Sequence, residues 1–300
     1  MTIELFDQSL RHGITLSCRA CGARDSPKRI LLLHGFPEGA FVWDEVMGLV
    51  GAAARCVAPN LRGYERSSAP AGVEAYRAKH LVADIAAMIE SIGAPIDLLV
   101  AHDWGGAAAW NLAAQRPHLI RQLLIVNSPH PATFLRELRD NPAQQAASAY
   151  MNFLCRPDAA ALLAENDFER LWPFFTNMGG AAWLSDAVRA QYRAVWLQGL
   201  EGPLNYYRAS PLRPPLSAAD AIHTLEFPPA FVTVRVPTTV LWGEADIALP
   251  AALLDGLDGF VDPLEVRRVA GASHWIVHEQ PALVAGVIQS LLVKPPRTGP

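Results

Sequence analysis

Apolar and polar positions in the first 130 residues switch repeatedly between a strand period and a helix period. Ile14-Thr15-Leu16-Ser17-Cys18 alternates like a half-buried strand and gives way to a polar turn, Ala23-Arg24-Asp25-Ser26-Pro27. Arg29 to Leu33 is a short apolar run stopped by His34-Gly35, the pattern of a strand buried on both faces. Cys56 to Pro59 predicts another short strand. Between His80 and Gly93, Leu81, Ile85, Met88, Ile89 and Ile92 recur at helical spacing, and Gly93 supplies the stop. Ile96 to Ala101 again reads as a buried strand. A small-residue helix from Trp104 to Ala114 follows, then a strand from Leu123 to Asn127.

From Pro131 to Phe227 the strand runs disappear, and helical segments rich in Ala, Leu and Trp replace them. Thr238 to Trp242 and Leu264 to Val269 then read as strands, and Pro281 to Leu292 as a closing helix. The simplest assembly is an α/β fold: an open, mostly parallel sheet flanked by helices and interrupted by a helical insertion. This divides the chain into a core of residues 1–130 and 228–300 and a helical cap of residues 131–227. The Pro-rich end, PPRTGP, reads as a frayed tail. In such sheets ligands sit beyond the carboxyl ends of the strands, so chemistry is sought there.

Composition narrows the partners. Of 300 residues, 51% are hydrophobic and 18% charged, enough apolar surface for a core without staples. A net charge of −4, with both signs interspersed, provides no basic field for nucleic acid. The most apolar stretch, Ala282 to Val293, falls short of the roughly 18 residues that a membrane span needs and contains Gln289. The opening MTIELFDQ lacks the basic-then-apolar pattern of a secretion signal, so no membrane association and a cytoplasmic location are expected. Cys18 and Cys21 form a C-x-x-C with no second pair at zinc spacing, and are read as small residues on and beside a strand.

Polar residues concentrate where predicted strands stop. Ala101-His102-Asp103-Trp104-Gly105-Gly106 directly follows an apolar strand, with small residues at positions 101 and 105. That spacing lets a strand turn sharply into a helix and present residue 103 as a nucleophile elbow, with Asp in place of the usual Ser. By itself the segment also describes an Asp capping a helix before a Gly-rich turn. Later strand ends carry Leu241-Trp242-Gly243-Glu244-Ala245-Asp246 and Gly271-Ala272-Ser273-His274-Trp275. The order nucleophile, acid, histidine suits a triad of Asp103, Asp246 and His274, although Asp246 alone would serve as a helix cap and His274 as a loop residue. After Leu31-Leu32-Leu33 comes His34-Gly35-Phe36-Pro37-Glu38, whose Phe36 N–H could join the Trp104 N–H as donors to an oxyanion.

The segments HGFPE, LRGYERSS (residues 61–68), AHDWGG, LWGEAD and ASHW resemble, in order and spacing, those of the epoxide hydrolase branch of the α/β-hydrolase superfamily. The resemblance covers nearly the whole chain. It implies an α/β-hydrolase fold with an inserted helical cap, no metal or organic cofactor, and two cap tyrosines that hydrogen-bond the epoxide oxygen. Gly202-Pro203-Leu204-Asn205-Tyr206-Tyr207-Arg208 is similar to the family's G-P-L-N-W-Y-R, which puts Tyr207 in one such position. Tyr206 stands where the family has Trp, so the choice between these neighbours stays open. Tyr150, seven residues before Pro157, resembles the other tyrosine. Tyr64 and Tyr192 are read as packing or surface residues, and Trp172, Phe174, Phe175, Trp183 and Trp196 as consistent with an apolar pocket in the cap.

The implied partners are a small epoxide and water, bound by Phe36, Trp104, Tyr150 and Tyr207; a monomer and a homodimer both fit. A haloalkane or haloacid dehalogenase shares the Asp-His-Asp chemistry, with a Trp N–H on the departing halide. Phe36 after His-Gly, and Trp104 with Ala107-Ala108 after the nucleophile, depart from those patterns. A catalytically silent ligand-binding protein of the same fold is a third reading, and an intact triad argues against it.

Overall fold

The structure, a computed structural model, describes residues 2–177 and 182–293. Its eight strands are β1 (Glu4–Ser9), β2 (Thr15–Cys21), β3 (Arg29–Leu33), β4 (Arg55–Pro59), β5 (Leu98–His102), β6 (Leu123–Val126), β7 (Thr238–Gly243) and β8 (Leu264–Val269). They form one sheet in the order β1-β2-β4-β3-β5-β6-β7-β8. β1 and β2 pair antiparallel, as do β2 and β4; every later pairing is parallel. β5 and β6 are buried at every position, which is why they read as unbroken apolar runs. The registers Leu33↔Ala101, His102↔Val126 and Gly243↔Val269 bring the carboxyl ends of β3, β5, β6, β7 and β8 to one edge of the sheet.

Two strands depart from expectation at the first edge. β2 runs on to Cys21, and β1 was not expected at all. It alternates between half-buried and exposed positions, without the fully buried face that makes a strand stand out in sequence. Cys18 and Cys21 both lie within β2, and Cys21 faces Cys56 of β4 in the register. Cys18 and Cys56 are free thiols that burial pushes up to about 12, so they behave as packing groups.

Between β6 and β7 the regular elements of the described residues are helices, including Pro131–Asp140, Tyr150–Leu154, Asp186–Trp196 and Glu201–Ala209, beside one isolated bridge of Val234 to Val261. The first begins with Pro131 behind His130, whose ring accepts the Ala132 N–H, a start that requires no further donor from Pro. Ala159–Phe168 is broken at Glu165–Asp167, where Asn166 and Asp167 take positive φ of 50° and 56°. Among the described residues no helix is long and apolar enough to cross a membrane. The PPRTGP tail lies outside the described residues.

Candidate active site

Asp103 stands at the exit of β5, the first residue of the helix Asp103–Gln115, with a positive φ of 48°. A non-glycine residue adopts that conformation only where its surroundings over-determine it. They do so here by close approach. A Cβ on Gly106 would lie 2.3 Å from the Ser128 Cβ, and one on Gly35 would lie 2.1 Å from Asp103 Oδ1. Ser128 Oγ donates to the Asp103 carbonyl at 2.7 Å, tying the turn to the end of β6.

The carboxylate has two distinct oxygens. Oδ1 accepts the Phe36 N–H at 2.7 Å, and the Trp104 N–H also bonds the carboxylate, so the expected pair of backbone donors converges on it. Oδ2 faces His274 Nε2 at 3.7 Å. His274 Nδ1 lies 2.7 Å from Asp246 Oδ2, which assigns the Nδ1–H tautomer and turns Nε2 toward Asp103. Asp246 is itself held: its Oδ1 accepts the Ala248 and Leu249 N–H groups, and its Oδ2 accepts Asn127 Nδ2 at 2.8 Å. The structure thus brings Asp103, Asp246 and His274 together in the order expected.

Burial raises the Asp103 pKa above the ordinary carboxylate value, against the lowering effects of His274, His102 and the two backbone donors. Burial alone would lower His274. The charge and hydrogen bond of Asp246, with Asp103 and Glu38 nearby, outweigh it and raise the imidazole to about 9.

Tyr150 and Tyr207 come from separate helices, Tyr150–Leu154 and Glu201–Ala209, and their rings meet edge to face with centroids 6.3 Å apart. The Trp104 ring stands edge-on to Tyr207 at 4.9 Å. Burial, reinforced by the Asp103 charge, raises both phenols, so each holds its proton. Tyr206 is different. Its hydroxyl donates to the Arg62 carbonyl at 3.0 Å, fastening the helix to the 61–68 loop. Arg62 is in turn paired by both nitrogens with buried Asp84 at 2.5 and 2.6 Å. Of the two neighbours, Tyr207 is the one whose ring meets that of Tyr150.

Other residues escaped sequence reasoning. Asn127, at φ 38°, bridges β6 to β7 by accepting the Gly243 N–H and donating to Asp246. A polar residue ending an apolar strand at the functional edge was its available signal. Glu38, fully buried, lies 2.9 Å from His102 Nδ1 and accepts the Tyr192 hydroxyl at 3.2 Å. Burial opposes its ionisation, but His102 and His278 pull its pKa below the ordinary value. His102 Nε2 donates to the His274 carbonyl at 2.9 Å, so the cluster props the loop that carries the triad imidazole. Tyr192 therefore does more than pack, because its hydroxyl also lies 2.7 Å from His278 Nε2. Tyr64 is a packing residue, edge-on to His34 and to Tyr206.

A cavity of about 280 Å³ opens beside Asp103. Its walls correct the expectation for the cap aromatics: Trp172, Phe174, Phe175, Trp183 and Trp196 do not line it. They pack largely on one another, as Phe175 does on Trp183 and Trp196, and Trp172 on Trp196. Trp104, Phe134, Tyr150, Met151, Tyr206 and Leu212 line it instead. Helix spacing alone could not say which aromatics face inward.

This sheet order, strained elbow and acid–base pair define an α/β hydrolase, and the α/β-hydrolase fold family model matches residues 28–281. The chain is 35% identical to the AB hydrolase superfamily protein YfhM of Bacillus subtilis over 94% of its own length and 95% of that protein. It is 32% identical to epoxide hydrolase 4 of Mus musculus, covering 93% of this chain and 77% of that one. The crystal structure of Bacillus megaterium epoxide hydrolase in complex with an inhibitor superposes with a TM-score of 0.87 at 30% identity, over 96% of this chain and all of that one. The chain belongs to the α/β-hydrolase superfamily and, within it, to the epoxide hydrolase family.

Proposed function

We propose that this enzyme hydrolyses epoxides to vicinal diols through a covalent ester on Asp103, formed beneath a helical cap of residues 131–227. One observation carries the reading: a carboxylate, anchored through Oδ1 to the Phe36 N–H, has His274 Nε2 facing its other oxygen and the paired rings of Tyr150 and Tyr207 close by. The names of the relatives and of the superposed structure support it.

In the first step Asp103 Oδ2 attacks an epoxide carbon. The carbon–oxygen bond breaks, and the departing oxygen takes a hydrogen bond and then a proton from Tyr150 or Tyr207. A carboxylate, with an ordinary pKa of about 3.9, needs no base for this attack, whereas a serine would. In the second step His274 Nε2 takes a proton from water, and the hydroxide adds to the Asp103 carboxyl carbon. The resulting oxyanion faces the Phe36 N–H, already aimed at Oδ1, with the Trp104 N–H beside it. Collapse releases the diol and restores Asp103, and the imidazolium proton returns to the tyrosinate. Asp246 holds the tautomer and the developing charge. No step requires a metal or organic cofactor.

The dehalogenase reading would assign the Trp104 indole to a halide. That side chain packs edge-on against Tyr207 at 4.9 Å, which favours ring opening at an oxygen. A silent binding protein has no use for a strained Asp103. Single turnover in ¹⁸O-labelled water tests the ester: label is expected in the Asp103 carboxyl, and diol formed with Asp103 unlabelled would remove it as nucleophile.

A further inference from the structure

Asp246, the acid of the proposed triad, sits in a turn that the insertion helps to hold. Beyond β7 the chain wraps round its carboxylate, and Oδ1 accepts the Ala248 N–H at 3.0 Å and the Leu249 N–H at 2.9 Å. The carbonyl of Ala248 in turn accepts Nε2 of Gln144 at 3.1 Å. Gln144 belongs to the short helix Pro142–Ala147 and is buried, with 2% of its surface exposed. The same Nε2 donates to Ser148 Oγ at 2.8 Å. A primary amide carries two N–H bonds, so both contacts are made together. Ser148 is also buried and lies two residues before Tyr150; its carbonyl accepts the Met151 N–H at 2.9 Å, in the first turn of the tyrosine's helix. One side chain thus joins the turn of the acid to the start of the helix that carries Tyr150. Arg136 ties the next stretch of the same segment to the insertion, donating to the Asp255 carbonyl at 2.8 Å and the Ala252 carbonyl at 3.3 Å.

We infer that Gln144 is a positioning residue, a clamp that sets Tyr150 and Asp246 in register so that ring opening and ester hydrolysis are prepared together. This rests on the epoxide reading above and adds to it the residue that aligns its two steps. A buried carbonyl stripped of its donor is unfavourable, so without Gln144 the turn relaxes and the Asp246 carboxylate is aimed less well at His274. Outer groups of this kind commonly set the orientation of a reactive pair. The titratable groups around His274 are Asp246, Asp103, Glu38 and His102, whose ring centroid is 4.8 Å away. Gln144 carries no charge, so a change in His274 titration on replacing it comes through the geometry of Asp246.

The test uses Gln144→Met, which keeps length and neutrality and removes both donors. Two readouts are taken: the NMR titration of the His274 imidazole, and single-turnover alkylation and ester hydrolysis with styrene oxide. The His274 midpoint should fall by about half a pH unit, because a loosened Asp246 supports the imidazolium less. Alkylation and hydrolysis should each slow by about tenfold. Ser148→Ala removes only the arm to the tyrosine helix, so alkylation should slow by about threefold with the His274 midpoint in place. Gln145→Met is the control, since that amide donates to the Leu138 and Arg139 carbonyls inside the insertion, and it should change neither readout. An unmoved His274 midpoint in folded Gln144→Met, or an equal fall in Gln145→Met, would overturn the clamp. Alkylation at the wild-type rate in Ser148→Ala would overturn it too, whether or not Gln144→Met folds. No ester from styrene oxide with the wild-type enzyme would count against the epoxide reading, and the titration would then decide the clamp by itself.

Discussion

Asp103 stands at the end of a sheet strand and Tyr207 in a helix of the insertion, and different forces hold them. Around Asp103 the restraints are steric and backbone-based: a positive φ, glycines with no room for a Cβ, and the Phe36 N–H aimed at Oδ1. Around Tyr207 they are edges of aromatic rings, Phe36 at 5.2 Å and Trp104 at 4.9 Å. The insertion is then fastened to the core by side-chain hydrogen bonds: Trp196 Nε1 to the Pro37 carbonyl at 2.6 Å, Tyr206 to Arg62, and Tyr192 to Glu38. Ring edges have shallow optima and tolerate small shifts, whereas a strained turn does not. The proposed attacking group is thus fixed, and the proposed proton donors sit on a part of the molecule that can adjust to a substrate.

Substitutions can break or sharpen that contrast. Asp103→Asn should lose diol formation by about 10⁴-fold or more, with the melting temperature close to that of the wild type. Residual turnover near the wild-type rate would mean that the elbow is only a helix start. Tyr150→Phe combined with Tyr207→Phe should slow epoxide opening by about 10²–10⁴-fold, measured as alkylation in a single turnover. Tyr206→Phe, whose hydroxyl is committed to Arg62, should leave alkylation far less affected; the reverse ranking would reassign the donor.

The pH dependence separates the two steps. His274 is raised to about 9 partly by the Asp103 charge, which esterification removes. Its pKa in the ester should therefore fall below that value. Ester hydrolysis is expected to climb about tenfold per pH unit toward a plateau reached below pH 9. A flat profile from about pH 5 upward would remove His274 as the base. The link to stability has its own sign. The folded pKa lies above the unfolded value of 6.5, so stabilisation by charged His274 is complete below pH 6.5 and is lost as pH rises through about 9.

Smallest is the effect at the fastening. Tyr192→Phe deprives buried Glu38 of a donor, and a hydrogen bond to a charged group contributes about 1.5–3 kcal/mol. The melting temperature should fall by a few degrees and KM should rise more than kcat changes. A large loss of kcat with KM unchanged would show that the Glu38 cluster acts on the chemistry rather than on the seating of the insertion.

Much of the core was legible because its signals are local. β3, β5 and β6 are apolar runs with abrupt polar stops, and Asp103, Asp246 and His274 sit within a few residues of such stops. β1 was illegible because its inner positions, Glu4, Phe6 and Gln8, are only half-buried and mostly polar, so no apolar face shows in the sequence. The helical insertion showed its helicity but not its facing. Phe174 and Phe175 are sequence neighbours, yet Phe174 meets Phe36 while Phe175 packs against Trp275.

By itself, then, the sequence determined the α/β alternation, the insertion and the residues proposed as a triad, since hydrophobic period and short motifs are properties of neighbouring residues. Tertiary structure alone decided that Tyr207 rather than Tyr206 meets Tyr150, that Asn127 steadies Asp246, and that Glu38 ties His102 to Tyr192. Those partners lie far apart along the chain. They meet only because parallel strands end at one edge and a helical insertion folds back over it, and burial there makes each hydrogen bond selective.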